Sequence, residues 1–290
     1  MDFMNKNQAT IQKSISFSGI GVHSGSVSTV TIHPALMGTG IVFKNAKNLE
    51  QKITVGNVIP EIAMHATVIR GGHDNKWAVS TIEHLMAAVS MAGLDHVQII
   101  VDGPEIPILD GSALPFVYGI CDAGIVFFDA PKQFVTPKET LVFSDNDGRR
   151  IEIISNKTGE LFIDYKADFM HPLAGPATFA SVINQDVFMH EIAPARTFGH
   201  LEQLPFLRQH GLARGTSLGN TVVIGQELLN DMRFADECVR HKVLDLLGDM
   251  SMAGMRIAGT IKANKTGHAF NRLVALHVIQ NPEKWDVLTY

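Results

Sequence analysis

Two stretches of this chain run through the same order of elements, short strands first and helices last, and that order restricts the architecture more than any other feature. In the first stretch, Ser28-Thr29-Val30-Thr31-Ile32 alternates polar and apolar residues and reads as a strand, as does Gly40-Ile41-Val42-Phe43. Ile82, Leu85, Met86 and Val89 recur at i, i+3, i+4 and i+7, which predicts a helix over 80–92, ended by Gly93. A strand at 96–101, a Pro/Gly-rich stretch at 103–112 and a helix over 114–123 follow. Residues 129–138 carry Pro131 and Pro137 without periodicity and read as a linker. Beyond it come strands at 151–154 and 161–165, irregular segments, a long helix over about 234–252 and another near 268–276. The expected fold class is α+β, with two domains of similar plan, 1–130 and 131–290. Each has a sheet on one side and helices on the other.

Composition narrows the function classes. The chain has 290 residues, of which 46% are hydrophobic and 18% charged, enough for a sizeable core. A net charge of −5 argues against a general nucleic-acid binder, which needs a basic face against phosphates. No apolar run approaches the roughly 18 residues of a membrane span. The opening Met1 to Asn7 lacks the apolar centre of a signal peptide. Cys121 and Cys238 form neither a disulfide framework nor a cysteine zinc cluster. A cytoplasmic protein is the expectation. Gly19-Ile20-Gly21-Val22-His23-Ser24-Gly25 is a turn between strands rather than a dinucleotide fingerprint.

The helix at 234–252 carries the most chemistry. Val239, Val243, Leu246, Leu247 and Met250 share an apolar face, and His241, Asp245 and Asp249 stand opposite at i, i+4 and i+8. An i, i+4 pair offers two ligands to one ion, and His with Asp suits Zn²⁺, with Fe²⁺ the alternative. The same spacing also makes ordinary surface pairs. In the first helix, Glu83 and His84 point away from the apolar stripe, but Ser80-x-x-Glu83 equally fits a capping box. Taken together, His84, His241 and Asp245 would supply three ligands from two helices and leave a fourth position for water. Glu83 would then be placed to take that water's proton. His190-Glu191 begins like a metalloprotease motif, but no second histidine follows. A nucleophile elbow and a Walker loop are both absent. His268 opens a helix, where the dipole disfavours a cation. A cationic role there needs a carboxylate, for which Asp249 is the candidate; a solvated capping histidine is the alternative.

Five segments follow one another along the chain: Thr81-Ile82-Glu83-His84-Leu85, Pro107 to Ala113, Ala195-Arg196-Thr197-Phe198-Gly199, Val239 to Asp245 with Gly248-Asp249, and Lys265-Thr266-Gly267-His268-Ala269. In that order they resemble the UDP-3-O-acyl-N-acetylglucosamine deacetylase family, as do the glycine turn and the ending with Trp285 and Tyr290. The resemblance implies two domains, each a small, mainly antiparallel sheet on two helices, with zinc between them. It also implies an insert in each domain, at about 60–77 and, as a βαβ unit forming an apolar acyl passage, at about 196–223. It implies zinc on His84, His241 and Asp245, Glu83 as general base, and His268 as general acid partnered by Asp249. Thr197 would polarise the substrate carbonyl, and Lys242, Lys265, Phe198 and Ser217 would bind substrate. The implied activity is hydrolysis of the 2-acetamido group of UDP-3-O-acyl-N-acetylglucosamine, the committed step of lipid A synthesis in Gram-negative bacteria. A monomer making at most peripheral membrane contact is expected. Three positions depart from the pattern: His200 in place of Phe, Thr216 in place of Gly, and Arg149 where a lysine is expected. They bear on the acyl passage and phosphate contacts rather than on the metal chemistry.

Overall fold

A computed structural model describes residues 6–289 apart from 57–60, 64, 72–75, 170 and 172. Part of the expected insert at 60–77 therefore lies outside the described residues, as does Tyr290. The first half builds a five-stranded sheet from β1 (Ile15–Ile20), β2 (Val27–Pro34), β3 (Ile41–Asn45), β4 (Asn48–Thr54) and β5 (Val97–Asp102), in the order β1-β2-β5-β3-β4. The second half builds another from β6 (Leu141–Ser144), β7 (Arg150–Ile154), β8 (Leu161–Asp168), β9 (Pro176–Val182) and β10 (Gly259–Asn264), in the order β6-β7-β10-β8-β9. The two orders are the same permutation. In each sheet only the pair between third and last strand is parallel, β3 with β5 and β8 with β10. The remaining pairs are antiparallel.

Helices complete the likeness. α1 (Glu83–Met91) lies between β4 and β5, and α2 (Leu114–Ala123) follows β5. α3 (Glu237–Ser251) lies between β9 and β10, and α4 (His268–Gln280) follows β10. The fold is thus α+β with two halves of one plan, as expected. Strand alternation drives the layering: in β2, Val30 and Ile32 are buried while their neighbours are partly exposed. The buried apolar side chains of both halves join in one contiguous core.

The equivalent helices α1 and α3 pack on each other, and this contact positions the site. A Cβ on Gly248 would stand 2.0 Å from the carbonyl oxygen of Glu83, so only glycine lets the two backbones approach this closely. α3 is buried on both its apolar and its polar side. A polar stripe inside the protein must then be hydrogen-bonded, paired or ligating.

Two sequence expectations are corrected. Residues 129–138 do not form an irregular linker. Ile125–Pro131 pairs antiparallel with Asn7–Ile11, and Gln133–Pro137 pairs with Arg256–Ile257 and Trp285–Thr289. Pro131 and Pro137 each close a strand, where a missing N–H does least harm. The first helix begins at Glu83 rather than Ser80, and the capping box does not form. Ser80 ends the strand Trp77–Ser80, and its N–H donates to the Pro104 carbonyl. Ile82 occupies the cap position without a side-chain bond.

Around the sheets lie two smaller assemblies. Glu61–Ala63, Ala66–Gly71 and Trp77–Ser80 form an antiparallel three-stranded sheet. Phe198–His200 and Val222–Ile224 pair in parallel around a short helix, Leu204–Gln209.

Candidate active site

The chain enters α1 through Thr81, a β-branched residue held at φ +56°. That conformation is costly for such a side chain. Thr81 Oγ1 donates to Glu105 Oε1 at 2.7 Å, which helps to hold the turn. Glu83 and His84 thus open α1 and face α3, both almost completely buried.

His84, His241 and Asp245 bring one ligand atom each to within 4.8 Å of one another. His84 Nε2 is 3.7 Å and His241 Nε2 3.4 Å from Asp245 Oδ1. His241 Nδ1 lies 3.0 Å from the Ala195 carbonyl, which only accepts, so this network assigns its proton to Nδ1 and a lone pair to Nε2. Burial pushes His84 down to about 3, with the neighbouring His241 next, and burial also lowers His241. Asp245 Oδ1 is buried and has no hydrogen-bond partner among the described residues, while Oδ2 accepts from Lys242 Nζ at 2.5 Å. Burial alone would raise the Asp245 carboxyl. Lys242, then His241, His268 and His84, overcome it and hold the group well below the carboxylate range. Neutral imidazoles and a bare carboxylate oxygen therefore converge without a proton to share. That donor set fits a divalent cation such as zinc, and the Nδ1 bond of His241 is the usual orienting contact of a histidine ligand.

Next to this triad sits a second cluster. His268 is the first residue of α4, and its Nδ1 lies 2.9 Å from Asp249 Oδ2. Its Nε2 stands 3.9 Å from both Glu83 Oε1 and Asp245 Oδ2. Burial would depress this imidazole, but Asp249, Asp245 and Glu83 outweigh it and raise the group to about 10. The sequence alternative of a solvated cap does not hold, since the side chain is 13% exposed. Glu83 accepts from the Thr67 N–H at 3.2 Å through Oε2. Burial pushes its carboxyl up to about 8, against the pull of His268 and with added repulsion from Asp249 and Asp245.

Two participants escaped the sequence analysis. Thr67 Oγ1 donates to Asp249 Oδ1 at 2.5 Å, and Asn271 Nδ2 donates to Asp249 Oδ2 at 2.9 Å. Asn271 was findable in principle, because i+3 from His268 on one helix shares its face. Thr67 lies in a stretch with no local signal, and only the tertiary fold brings it here.

The segment Ala195 to Gly199 is pinned at each residue that matters. Ala195 holds His241, and Arg196 makes a buried ion pair with Glu237 at the start of α3, at 2.9 Å. The Thr197 N–H donates to Gly111 and its carbonyl accepts from Val222, both at 2.8 Å. Gly111, at φ +88°, touches Asn220 so closely that a Cβ would lie 1.8 Å from that carbonyl. The 107–113 loop thereby fixes Thr197.

A cavity of about 560 Å³ takes in Thr197, Phe198, Glu83, the three candidate ligands, Lys242, Lys265 and His268. Phe198 stands edge-on to His241 at 6.2 Å. Lys265, at φ +52°, has its ammonium 3.6 Å from Asp168. Ser217 is not part of the lining, though its neighbour Thr216 is. The departures His200 and Arg149 both line the cavity, His200 beside His171 and Arg149 paired to Asp145 and Asp147. His23 also lines it.

Residues 8–280 match the family described as UDP-3-O-acyl N-acetylglycosamine deacetylase. A protein of Syntrophotalea carbinolica named UDP-3-O-acyl-N-acetylglucosamine deacetylase is 39% identical over 97% of this chain and 90% of its own length. Proteins of the same name from Geobacter sp. strain M21 and Haemophilus influenzae strain 86-028NP are 37% and 38% identical over 98% of this chain, covering 92% and 93% of their own lengths. The chain belongs to the UDP-3-O-acyl N-acetylglycosamine deacetylase family, and it is an enzyme that removes an acetyl group from an amide.

Proposed function

We propose that this enzyme hydrolyses the 2-acetamido group of UDP-3-O-acyl-N-acetylglucosamine to acetate and the free amine, the committed step of lipid A biosynthesis. We further propose that it does so with a zinc ion on His84, His241 and Asp245. The observation that carries the reading is Asp245 Oδ1, a buried carboxylate oxygen without a partner among the described residues, at the point where two histidine Nε2 atoms converge. Bound there, the ion would acidify water and polarise the amide carbonyl as a Lewis acid, with Fe²⁺ the alternative.

The protein's own groups supply the proton traffic. Glu83, as carboxylate, takes a proton from the attacking water at Oε1, the oxygen not held by Thr67. The water oxygen bonds to the acetyl carbon. The Thr197 hydroxyl, on its fixed backbone, donates to the oxygen that gains charge, a contribution of about 3 kcal/mol for a well-placed donor. His268, cationic and held through Nδ1 by Asp249, gives its Nε2 proton to the departing nitrogen as the C–N bond breaks. Thr67 and Asn271 hold Asp249, so the imidazolium is oriented before substrate arrives.

Lys242 has one donor committed to Asp245, which leaves two for the sugar, and Lys265 and Arg149 face the diphosphate from the cavity rim. Phe198, Leu201, Leu204, Leu207 and Val223 offer an apolar wall to the 3-O-acyl chain. We take the chain as two domains meeting near residue 130, acting in the cytoplasm as a monomer with at most peripheral membrane contact. A substrate panel with and without the UDP group tests the reading. Equal rates on acylated N-acetylglucosamines lacking UDP would assign the enzyme to a different sugar.

A further inference from the structure

The glycine turn at 19–25 joins β1 to β2 and takes no part in the proton transfers above, yet its Val22 and His23 line the catalytic cavity. Beside it lies Glu105, a carboxylate only 1% exposed. A buried charge is costly unless it is hydrogen-bonded. Three neutral donors meet this one. The His23 N–H at 3.0 Å and the Thr81 hydroxyl at 2.7 Å donate to Oε1, and the Ser24 N–H donates to Oε2 at 2.8 Å. The turn is shaped for this contact, since a Cβ on Gly21 would stand 2.1 Å from Glu105 Oε2.

Glu105 faces two ways. On one side, Thr81 leads into α1, which opens with Glu83 and His84. On the other, the turn seats the segment that follows the short helix Leu204–Gln209. The Leu212 N–H donates to the Leu207 carbonyl at 2.9 Å, the Arg214 N–H to the His23 carbonyl at 3.2 Å and the Gly215 N–H to the Val22 carbonyl at 3.0 Å. Gly215 lies so close to the turn that a Cβ there would stand 2.3 Å from the Gly21 carbonyl oxygen. Leu204, Leu207, Ala213 and Thr216 line the cavity. One buried carboxylate thus stands between the helix end that carries Glu83 and the wall assigned to the acyl chain.

We propose that Glu105 is a positioning residue that fixes the acyl-chain wall relative to Glu83, so that binding of the 3-O-acyl chain brings the acetamide into line for attack. The role presupposes the acylated UDP-sugar deacetylase proposed above. Binding energy gained away from the reacting bond raises turnover when a rigid frame converts it into alignment. The wild-type enzyme should therefore favour a long 3-O-acyl chain over a short one in kcat and not only in KM. A Glu105 that merely held the fold together would, when replaced, slow both substrates alike.

The test measures kcat and KM of the full chain on UDP-N-acetylglucosamine carrying a 3-O-dodecanoyl or a 3-O-butanoyl group. In Glu105→Gln, Oε1 keeps Thr81 and His23, but the new amide NH2 meets the Ser24 N–H, donor against donor. The turn is released while Thr81 stays held, and the dodecanoyl preference in kcat should shrink about ten-fold or more. Thr81→Val cuts the other arm, so kcat should fall in the same proportion on both chains, and Thr81→Ser should restore it. Amide hydrogen exchange reads the link without turnover. Glu105→Gln should speed exchange at Arg214 and Gly215 about ten-fold and leave the Thr197 amide, held by Gly111, unchanged. Gly215→Ala lifts the wall off the turn with Glu105 intact; it should shrink the preference likewise, and it carries the test should Glu105→Gln not fold. The proposal is overturned by a wild type with equal kcat on both chains, by a folded Glu105→Gln or Gly215→Ala that keeps the preference, or by unchanged exchange at Gly215 in Glu105→Gln. A wild type that turns over neither substrate would refute the deacetylase reading instead, and exchange at Gly215 then decides whether Glu105 holds the wall.

Discussion

Gly248→Ala puts one methyl group where the two halves touch. Its Cβ would stand 2.0 Å from the Glu83 carbonyl oxygen, 2.7 Å from that carbon and 2.9 Å from the Glu83 Cα. All three are backbone atoms, so no side chain can swing aside. Ordinary contact begins at 3.4 Å, so α1 and α3 must separate by about 1.4 Å at this point (3.4 less 2.0). Overpacking of this kind costs about 1–3 kcal/mol, which lowers the melting temperature of a chain this long by roughly 2–5 °C. The larger effect falls on the metal. His84 moves with α1, and His241 and Asp245 move with α3. A metal site tolerates ligand displacements of only about 0.2 Å. Calorimetry, metal content and acetate release on the same preparation should show a folded, somewhat destabilised protein that has lost most of its metal and its activity. A Gly248→Ala enzyme with one tightly held metal and wild-type turnover would refute the idea that this contact sets the ligand geometry.

Four further outcomes follow from the same site. Thr197→Val should lower kcat about 100–1000-fold with metal content unchanged, and an unchanged kcat would remove Thr197 from the oxyanion role. Glu83 works ionised and His268 protonated, so kcat/KM should rise with pH through the first group and fall through the second. The raised values of about 8 and about 10 belong to the site without a metal charge. A dication on Asp245 favours ionised Glu83 and disfavours cationic His268, so both limbs of the loaded enzyme should lie below those values. An acid limb at or above about 8, or an alkaline limb at or above about 10, contradicts the assignment. Asp249→Asn should bring the alkaline limb down further, because it removes the carboxylate that most raises His268; an unmoved limb would separate Asp249 from His268. Glu237→Gln should cost about 3–5 kcal/mol in urea unfolding, since it leaves Arg196 buried without its carboxylate, and a loss under 1 kcal/mol would show the pair to be replaceable.

The chemistry of α3 was legible because helical periodicity is local. His241, Asp245 and Asp249 had to share one face, and they do. Sequence could not say whether that face was wet, and the decisive fact, its burial against α1, depends on Gly248, whose importance exists only in the packed pair. Ser80 and Glu83 show the opposite failure. Their spacing fits a capping box, but Ser80 is engaged by Pro104 in a strand context, so a tertiary hydrogen bond displaced a local one. The stretch at 129–138 read as a linker because its two prolines mask strands whose partners lie more than a hundred residues away. Asp249 was found as a potential partner for His268, whereas Thr67, which also binds it, was not, because nothing in the sequence near Thr67 marks a contact with α3. The equal strand permutation in the two halves likewise left no repeat visible in the residues themselves.

The central claim is that a metal on His84, His241 and Asp245 makes this chain a deacetylase of an acylated UDP-sugar. Acetate release from UDP-3-O-acyl-N-acetylglucosamine, followed before chelation, after chelation and after zinc is restored, tests it most directly. The account predicts turnover that chelation abolishes and about one zinc per chain restores. Undiminished turnover by the chelated protein would contradict it, as would no acetate at any stage from a folded, zinc-loaded enzyme.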